Sequence, residues 1–290
     1  MSRPPGSAPL PGVRRLPGIA ALARVHDALL VDQFGTLHDG VHPYPGAADA
    51  LRRLRDAGTG VVLLSNSGKR AARNAERLAR MGIGPGLYDR FVTSGEAGWR
   101  MLAEDRVPGA PGVRRCLLLS RDGDRSVLDG TPVQAAGPEG AELVVIAGSE
   151  GERRPLSEYE ALLDPLAARG VPALCLNPDR TMLTPDGPAF GAGRIAEAYA
   201  ALGGAVTWVG KPHPAIYAEA LAALGGPAPD RVAGVGDSVE HDVAGARGAG
   251  CPAVLLRAGI LAGADDAAVE AECAAHGVWP DALAEGFVWA

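Results

Sequence analysis

Short apolar runs alternate with amphipathic segments along most of the chain. Apolar runs predict strands at 27–32, 60–65 and 89–94, and helical spacing of apolar residues predicts helices at 45–58 and 69–82. The first predicted helix has proline at its start and glycine at its end, which is typical of helix borders. This alternation predicts right-handed β-α-β units and a parallel, doubly wound sheet.

The same pattern returns near the end of the chain. It predicts strands at 205–210, 231–237 and 251–256, and helices at 214–224 and 242–250. Because the two stretches share one pattern, we assign their strands to a single sheet.

The segment between these stretches has elements of its own. It contains predicted strands at 114–120, 141–148 and 171–177 and a predicted helix at 156–170. A structureless connection rarely exceeds about 15 residues, so this segment predicts an inserted α/β domain. The fold class is therefore α/β, with a doubly wound parallel-sheet core and an insert.

The predicted domain organisation follows from these patterns. The core domain comprises 25–94 and 205–290, and the inserted domain comprises 95–204. The proline-rich segment 1–24 is predicted to be a flexible leader.

Polar residues follow four of the predicted core strands. Asp32, Ser65 and Asp237 end three of these strands, and Lys211 directly follows the fourth, at 205–210. Because the carboxyl ends of parallel strands meet at one edge of a sheet, we expect these residues to surround one site. Asp32 and Asp237 are hard oxygen ligands of the kind that Mg²⁺ takes, and Asp242 is expected to complete or orient that shell.

The remaining polar groups of this predicted site are suited to an anion. Ser65 and Lys211 are expected to hold phosphoryl oxygens, with Lys211 acting as a point charge. The backbone N–H groups of Gln33 and Phe34 also face such an anion in this interpretation. The sequence thus predicts a combined metal and phosphate site.

Composition narrows the choice of protein class. The chain has 290 residues, 47% of them hydrophobic and 21% charged, with a formal net charge of −6. No basic stretch suggests nucleic-acid binding, and no apolar stretch is long enough to span a membrane. The four cysteines have neither zinc-site nor disulfide-scaffold spacing, so we expect a cytoplasmic protein.

The strand-end residues and the insert together resemble a known family. With "VGKP" at 209–212, "NPD" at 177–179 and "GAG" at 191–193, residues 26–257 resemble the haloacid dehalogenase (HAD) superfamily. The large insert is similar to the class II cap of the class IIA (NagD-type) branch. The resemblance implies a Rossmann-like core, an aspartate nucleophile, bound Mg²⁺ and a small phosphorylated metabolite as substrate.

The resemblance also implies roles for individual residues. Asp32 is the nucleophile and a metal ligand, and Ser65 and Lys211 bind phosphate beside it. Asn66 is implied to position the substrate or the nucleophile. Among the remaining residues, the metal ligands are implied to be Asp237 and the carbonyl of Phe34, with Asp242 supporting the metal shell.

Phe34 departs from the family pattern. Phosphatases of this superfamily usually carry a second aspartate there, which protonates the leaving oxygen and then activates water. Such a group contributes about 10²–10⁴ in rate. His38, Asp39 and His241 are near the site in sequence and could replace this acid, but His38 and Asp39 are better explained as turn residues and His241 as an exposed residue at a helix start.

Three functions therefore stay open at this point. One is a phosphatase, slowed by Phe34, that prefers acyl or aryl phosphates. Another is a protein that binds a phosphorylated ligand without catalysis. The third is a hydrolase of carbon–halogen bonds, which needs no acid, although the pair Asp237 and Asp242 favours a cation.

The insert is expected to shape the substrate pocket. Its loop residues Asn177, Asp179 and Thr181 either face the core or form an ordinary Asx turn. Class II caps often pair, which allows a homodimer, and no motif decides the oligomeric state.

Overall fold

The computed structural model describes Leu10 and residues 12–184 and 187–290. The chain forms two compact units. The first, here called the core unit, is built from the chain up to Leu64 together with Ala75–Phe91 and Tyr217–Ala290. The second, here called the insert unit, is built from Ser65–Asn74 and Val92–Ile216.

The elements are numbered in chain order. The strands are β1 Arg14–Leu16, β2 Ala28–Asp32, β3 Gly60–Ser65, β4 Arg90–Thr93, β5 Arg115–Leu119, β6 Gln134–Ala135, β7 Leu143–Ile146, β8 Ala173–Cys175, β9 Thr181–Thr184, β10 Gly187–Phe190, β11 Val206–Trp208, β12 Val232–Gly236, β13 Ala253–Leu256 and β14 Ala282–Ala284. The α-helices are α1 Ala47–Asp56, α2 Ala71–Arg80, α3 Ser94–Ala103, α4 Leu156–Ala168, α5 Ala192–Ala201, α6 Pro214–Ala223, α7 Ala244–Gly248 and α8 Asp266–His276.

A seven-stranded sheet with the order β1-β14-β13-β12-β2-β3-β4 is the centre of the core unit. Its pairs from β1 across to β3 are parallel. The central strands β2 and β12 are buried along their whole length, because a parallel sheet is covered on both faces. This confirms the predicted α/β parallel-sheet core.

Helix α1 shows how the sequence pattern becomes packing. Its buried residues are Ala47, Ala50, Leu51 and Leu54, which share one face of a helix with 3.6 residues per turn. The opposite face carries exposed arginines. The helix therefore packs against the core through one apolar face.

The predicted leader differs from the structure over 14–24. Residues Arg14–Leu16 form β1, which pairs in parallel with β14 at the edge of the sheet. Leu22, in the short 3-10 helix Leu22–Arg24, is fully buried. These contacts order this part of the chain, whereas 1–9 and residue 11 of the predicted leader lie outside the described residues.

The insert unit has a sheet of its own. Its five strands follow the order β11-β8-β7-β5-β6, all in parallel pairs, and β9 and β10 form a separate antiparallel hairpin. Helices α4 and α5 pack on this sheet through Leu163, Leu166, Ile195 and Tyr199. This agrees with the predicted inserted α/β domain.

The placement of β11 corrects one prediction. Val206–Trp208 pairs with Ala173–Cys175 in the five-stranded sheet. Lys211 therefore follows a strand of the insert unit, not a strand of the seven-stranded sheet. An apolar run predicts a strand, but it carries no information on which sheet the strand joins. The insert unit accordingly extends to Ile216, beyond the predicted border at residue 204.

Within the described part of the chain, none of the helices combines the length and the apolar character that a membrane span requires.

Candidate functional site

Three buried carboxylates meet in the core unit. Asp32, Asp237 and Asp242 each offer an oxygen, and these oxygens lie within 4.8 Å of one another. Asp32 ends β2 and Asp237 directly follows β12, and these two strands are paired neighbours in the sheet. Adjacent parallel strands thus deliver two carboxylates to the same edge, as the sequence predicted.

Such a cluster is electrostatically costly without a cation. Carboxylates that share a buried site repel one another, and burial disfavours each charged form. Hard carboxylate oxygens in this number are what Mg²⁺ or a similar divalent cation takes, with water and substrate completing the shell. The donor set of Asp32, Asp237 and Asp242 therefore fits a divalent metal.

The backbone of two loops holds Asp237. The Ile260 N–H donates to Oδ2 of Asp237 at 2.8 Å. A Cβ on Gly35 or Gly259 would collide with the same carboxylate, and both glycines have positive φ, at 81° and 50°. The loop after β13 is thus a part of the site that sequence reasoning missed, because its contribution is a backbone N–H.

Asp242 is held by a turn at the end of β12. Residues Val239–Val243 form a π-helical turn that begins at Ser238. The Ser238 N–H donates to Oδ2 of Asp242 at 3.1 Å, and the Ser238 hydroxyl accepts the His241 N–H at 3.1 Å. A Cβ on Gly236 would collide with the Asp242 carboxylate. This turn directs Asp242 back towards the other two carboxylates.

In the insert unit, Asn66 binds both backbone polar groups of Lys211. Its Oδ1 accepts the Lys211 N–H at 2.6 Å, and its Nδ2 donates to the Lys211 carbonyl at 3.2 Å. Nδ2 also donates to Oδ1 of Asp179 at 2.8 Å. Lys211 is only 3% exposed. Asn66 thus fixes the backbone that carries the lysine.

The loop that supplies Asp179 is an Asx turn. Oδ1 of Asn177 accepts the Asp179 N–H at 3.0 Å, as in one of the two interpretations left open by the sequence. A Cβ on Gly210 would collide with Asn66, Pro178 and Ser94, which explains the glycine of "VGKP". Because residues 66, 177–179 and 210–211 are far apart in sequence, local patterns gave no signal of this cluster.

Ser65 ends β3 and is buried. Its Oγ accepts the Ser67 N–H at 3.1 Å, and its carbonyl accepts the Ser94 hydroxyl at 3.3 Å. These bonds orient the turn that follows β3.

Family models match both halves of the core. A model described as haloacid dehalogenase-like hydrolase matches residues 29–134, and one described as HAD-hydrolase-like matches residues 208–285. Haloacid dehalogenase-like hydrolase domain-containing protein 2 of Rattus norvegicus is 34% identical over 250 residues, 85% of this chain and 90% of that protein. The chain belongs to the haloacid dehalogenase-like hydrolase family.

Solved structures of HAD phosphatases share this fold. A p-nitrophenyl phosphatase from Archaeoglobus fulgidus has 26% identity and a TM-score of 0.75, over 90% of this chain and 97% of that one. A glycerol phosphate phosphatase from Mycobacterium tuberculosis, solved with magnesium, has 26% identity and a TM-score of 0.65, over 81% and 69%. These similarities confirm a class IIA HAD hydrolase.

Phe34 occupies the second position after Asp32 in this HAD chain. Its ring is 39% exposed and meets the His38 ring edge-on, with centroids 5.8 Å apart. It also lies against Gly40, where a Cβ would come within 3.0 Å of Cε2. The side chain offers no proton, and its exposure leaves room for a polar replacement.

His38 is a poor substitute for the missing acid. It is fully buried, and burial, aided by the charge of Arg77, lowers the pKa of His38 to about 4. Nδ1 accepts the Gly40 N–H at 2.9 Å, so the proton is on Nε2, which lies 3.4 Å from Oε1 of Gln33. At neutral pH His38 is an uncharged residue that positions Gln33.

Asp39 forms a turn, in agreement with the simpler of its two interpretations. Oδ1 accepts the N–H groups of Val41 and His42 at 2.8 and 2.7 Å. These hydrogen bonds lower the pKa of Asp39, so it is ionised at neutral pH and is not a proton donor.

The buried neutral His38 predicts a pH dependence of stability. Its folded-state pKa lies below its unfolded value of about 6.5, so protonation favours the unfolded chain. Stability should be lost as pH falls from about 6.5 towards 4, by up to about 3 kcal/mol from this residue. Urea unfolding of wild type and His38→Asn between pH 7 and 4.5 measures this. An equally steep loss in the variant would contradict the assignment.

Proposed function

We propose that this HAD hydrolase is a magnesium-dependent phosphatase acting on a small phosphorylated metabolite through an aspartyl-phosphate on Asp32. The observation that carries the proposal is the group of three buried carboxylates within 4.8 Å. A hydrolase of carbon–halogen bonds has no need of three carboxylates around one cation. The Mycobacterium tuberculosis relative, a glycerol phosphate phosphatase solved in complex with magnesium, supports the same choice.

Each metal ligand has a distinct role in this proposal. Asp32 and Asp237 bind Mg²⁺ with the Phe34 carbonyl, and Asp242 orients the metal shell. The bound ion neutralises charge on the phosphoryl oxygens. The Ile260 N–H donates to Oδ2 of Asp237 and so fixes the orientation of this carboxylate.

The phosphoryl group is held by cationic and neutral donors in the proposal. Lys211 and Ser65 bind its oxygens, joined by the N–H groups of Gln33 and Phe34. Asn66 contributes indirectly, because its bonds to both backbone groups of Lys211 keep the lysine in place. The second oxygen of Asp32 attacks phosphorus and displaces the ester oxygen.

The leaving oxygen is the weak point of this mechanism. Phe34 has no proton to give, Asp39 is ionised in its turn, and His38 is neutral and buried. Substrates whose leaving group is stable as an anion need no protonation. Acyl and aryl phosphates are therefore the proposed good substrates, and the name of the Archaeoglobus fulgidus p-nitrophenyl phosphatase fits that class.

Binding of a phosphorylated ligand without turnover is the second candidate, and Phe34 is the observation in its favour. Turnover of p-nitrophenyl phosphate that stops with a chelator and returns with Mg²⁺ supports the enzyme. Phosphate binding without any turnover supports the second candidate.

Asp237→Ala should abolish the magnesium response of the fold. In wild type, Mg²⁺ at 100 times its Kd should add about 2.7 kcal/mol of stability by binding only the folded state. The variant lacks a ligand, so its Tm should be the same with Mg²⁺ and with chelator. Differential scanning calorimetry measures the Tm values. The control is Asp49→Ala, which replaces an exposed residue of α1. A full magnesium-dependent rise in Asp237→Ala would rule out this ligand.

A further inference from the structure

A cleft rich in arginine lies entirely within the insert unit. Its volume is about 320 Å³, which is in the range of small-molecule sites. Four cations line it, namely Lys69, Arg73, Arg121 and Arg125. We call it the cationic cleft. Three aspartates also line it, so the partners of each charge decide what the cleft binds.

Two charged residues of the cleft, Arg121 and Asp122, form ion pairs with other residues of the protein. Arg121 binds Glu152 in a bidentate pair, with Nη1–Oε2 at 3.0 Å and Nη2–Oε1 at 2.6 Å. Asp122 pairs with Arg153 at 3.2 Å. These residues form the wall of the cleft and leave little charge for a ligand.

Asp124 is ionised and interacts with two cations of the cleft, Arg73 and Lys69. Its side chain is 10% exposed, it accepts the Ser126 N–H at 2.8 Å, and it lies 3.9 Å from Arg73. Burial alone would raise the pKa of Asp124, but hydrogen bonding by Ser126 and the charges of Arg73 and Lys69 outweigh burial, so the pKa is lowered. The pair with Arg73 is too long for a strong hydrogen bond.

Two cations stay available to a ligand. Among the described residues, no carboxylate lies within 4.0 Å of the Lys69 ammonium or the Arg125 guanidinium. Asp129 is the one opposing carboxylate, and it is exposed, with its carbonyl accepting the Trp99 Nε1–H at 2.7 Å. The cleft therefore presents more unpaired positive than negative charge.

The cleft begins beside the turn that carries Ser65. The Lys69 N–H donates to Oγ of Ser67 at 3.3 Å, and the Ser67 N–H donates to Oγ of Ser65 at 3.1 Å. The Thr93 hydroxyl donates a hydrogen bond to the Lys69 carbonyl oxygen at 2.7 Å and so fixes this carbonyl. Four residues span at most about 14 Å, so the Cα atoms of Ser65 and Lys69 are no farther apart than that.

We propose that the cationic cleft binds a second anionic group, a carboxylate or a phosphate, at the end of the substrate remote from the phosphoryl group that is removed. This inference rests on the proposed function, in which Ser65 binds that phosphoryl group. Lys69 and Arg125 bind the second anion, and the ionised Asp124 positions Arg73 beside it. The substrates are then acyl or aryl phosphates that carry a second carboxylate or phosphate.

Two matched pairs of esters test this inference. 3-Phosphoglycerate and glycerol 3-phosphate differ by a carboxylate in place of a hydroxymethyl group, and 6-phosphogluconate and sorbitol 6-phosphate make the same comparison at six carbons. Wild type should have the higher kcat/KM for the acid in at least one pair. In Arg125→Gln and Lys69→Gln that preference should fall about tenfold to a hundredfold, the effect of one charge-assisted bond.

A control variant and a binding measurement separate this inference from the proposed function. Arg80→Gln removes the same charge from an exposed position on α2 outside the cleft, and it should keep the wild-type preference. Turnover of p-nitrophenyl phosphate tests the proposed function separately, and where these alkyl esters are cleaved too slowly to compare, calorimetric Kd values for the same pairs test the cleft. The inference would be wrong if Arg125→Gln and Lys69→Gln preferred the acids as strongly as wild type does. This holds whether the preference is measured as kcat/KM or as Kd.

Discussion

Asp32→Asn should lower kcat for p-nitrophenyl phosphate by about 10⁴-fold or more. The amide cannot attack phosphorus, so the covalent route through Asp32 is lost, and losing a nucleophile removes most of an enzyme's rate enhancement. The change is nearly isosteric, and it removes one of three mutually repelling buried charges. The fold should therefore be retained. Steady-state kinetics at saturating Mg²⁺ measure the effect.

The matched control for this loss is Asp49→Asn. Asp49 is an exposed carboxylate of α1 that pairs with Arg52 and Arg53, and its replacement should leave kcat within about twofold. Calorimetric measurement of phosphate binding to Asp32→Asn tests whether the site is still formed. Retention of more than a tenth of wild-type kcat would mean that Asp32 is not the nucleophile.

Phe34→Asp should raise turnover of alkyl phosphates by up to about 10²–10⁴, the usual contribution of a general acid. In wild type, aryl phosphates should be cleaved well ahead of alkyl phosphates, because the alkoxide leaves unprotonated. The partial exposure of Phe34 should allow the polar side chain without a large loss of stability.

Phe34→Asn is the control that separates acidity from shape. It has the size and polarity of aspartate but no proton to transfer to an alkoxide, so its ratio of aryl to alkyl turnover should stay as in wild type. The decisive measurement is this ratio for p-nitrophenyl phosphate and glycerol 3-phosphate in all three proteins. If wild type already cleaves glycerol 3-phosphate at more than about 1 s⁻¹, another group supplies the proton.

The sequence predicted most of the central strands, because a parallel sheet buried on both faces requires continuous apolar runs. Strand β3 begins and ends at the predicted residues, and β2 differs by one. The three-residue strands β1 and β14 were not predicted, since so short a segment has no readable period. Strand β11 was predicted but assigned to the wrong sheet.

The candidate site was predictable only in part, for a similar reason. Asp32 and Asp237 follow buried strands, and that is a local signal. Asn66 contacts Lys211 across 145 positions of sequence, and Ile260 contacts Asp237 through a backbone N–H. The residues next to them in sequence therefore give no indication of either contact.

The hydrogen bonds of Asn66 limit how this chain can be recombined. The insert cannot be exchanged for that of another hydrolase at the borders of its sheet alone, because Asp179 within it holds the amide that holds Lys211. A chimera that keeps Asn66 but brings a foreign loop in place of 177–179 would leave this amide with an unmatched donor. Residues 66, 177–179 and 210–211 therefore form one hydrogen-bonded group, and a graft of a new insert has to carry all of them.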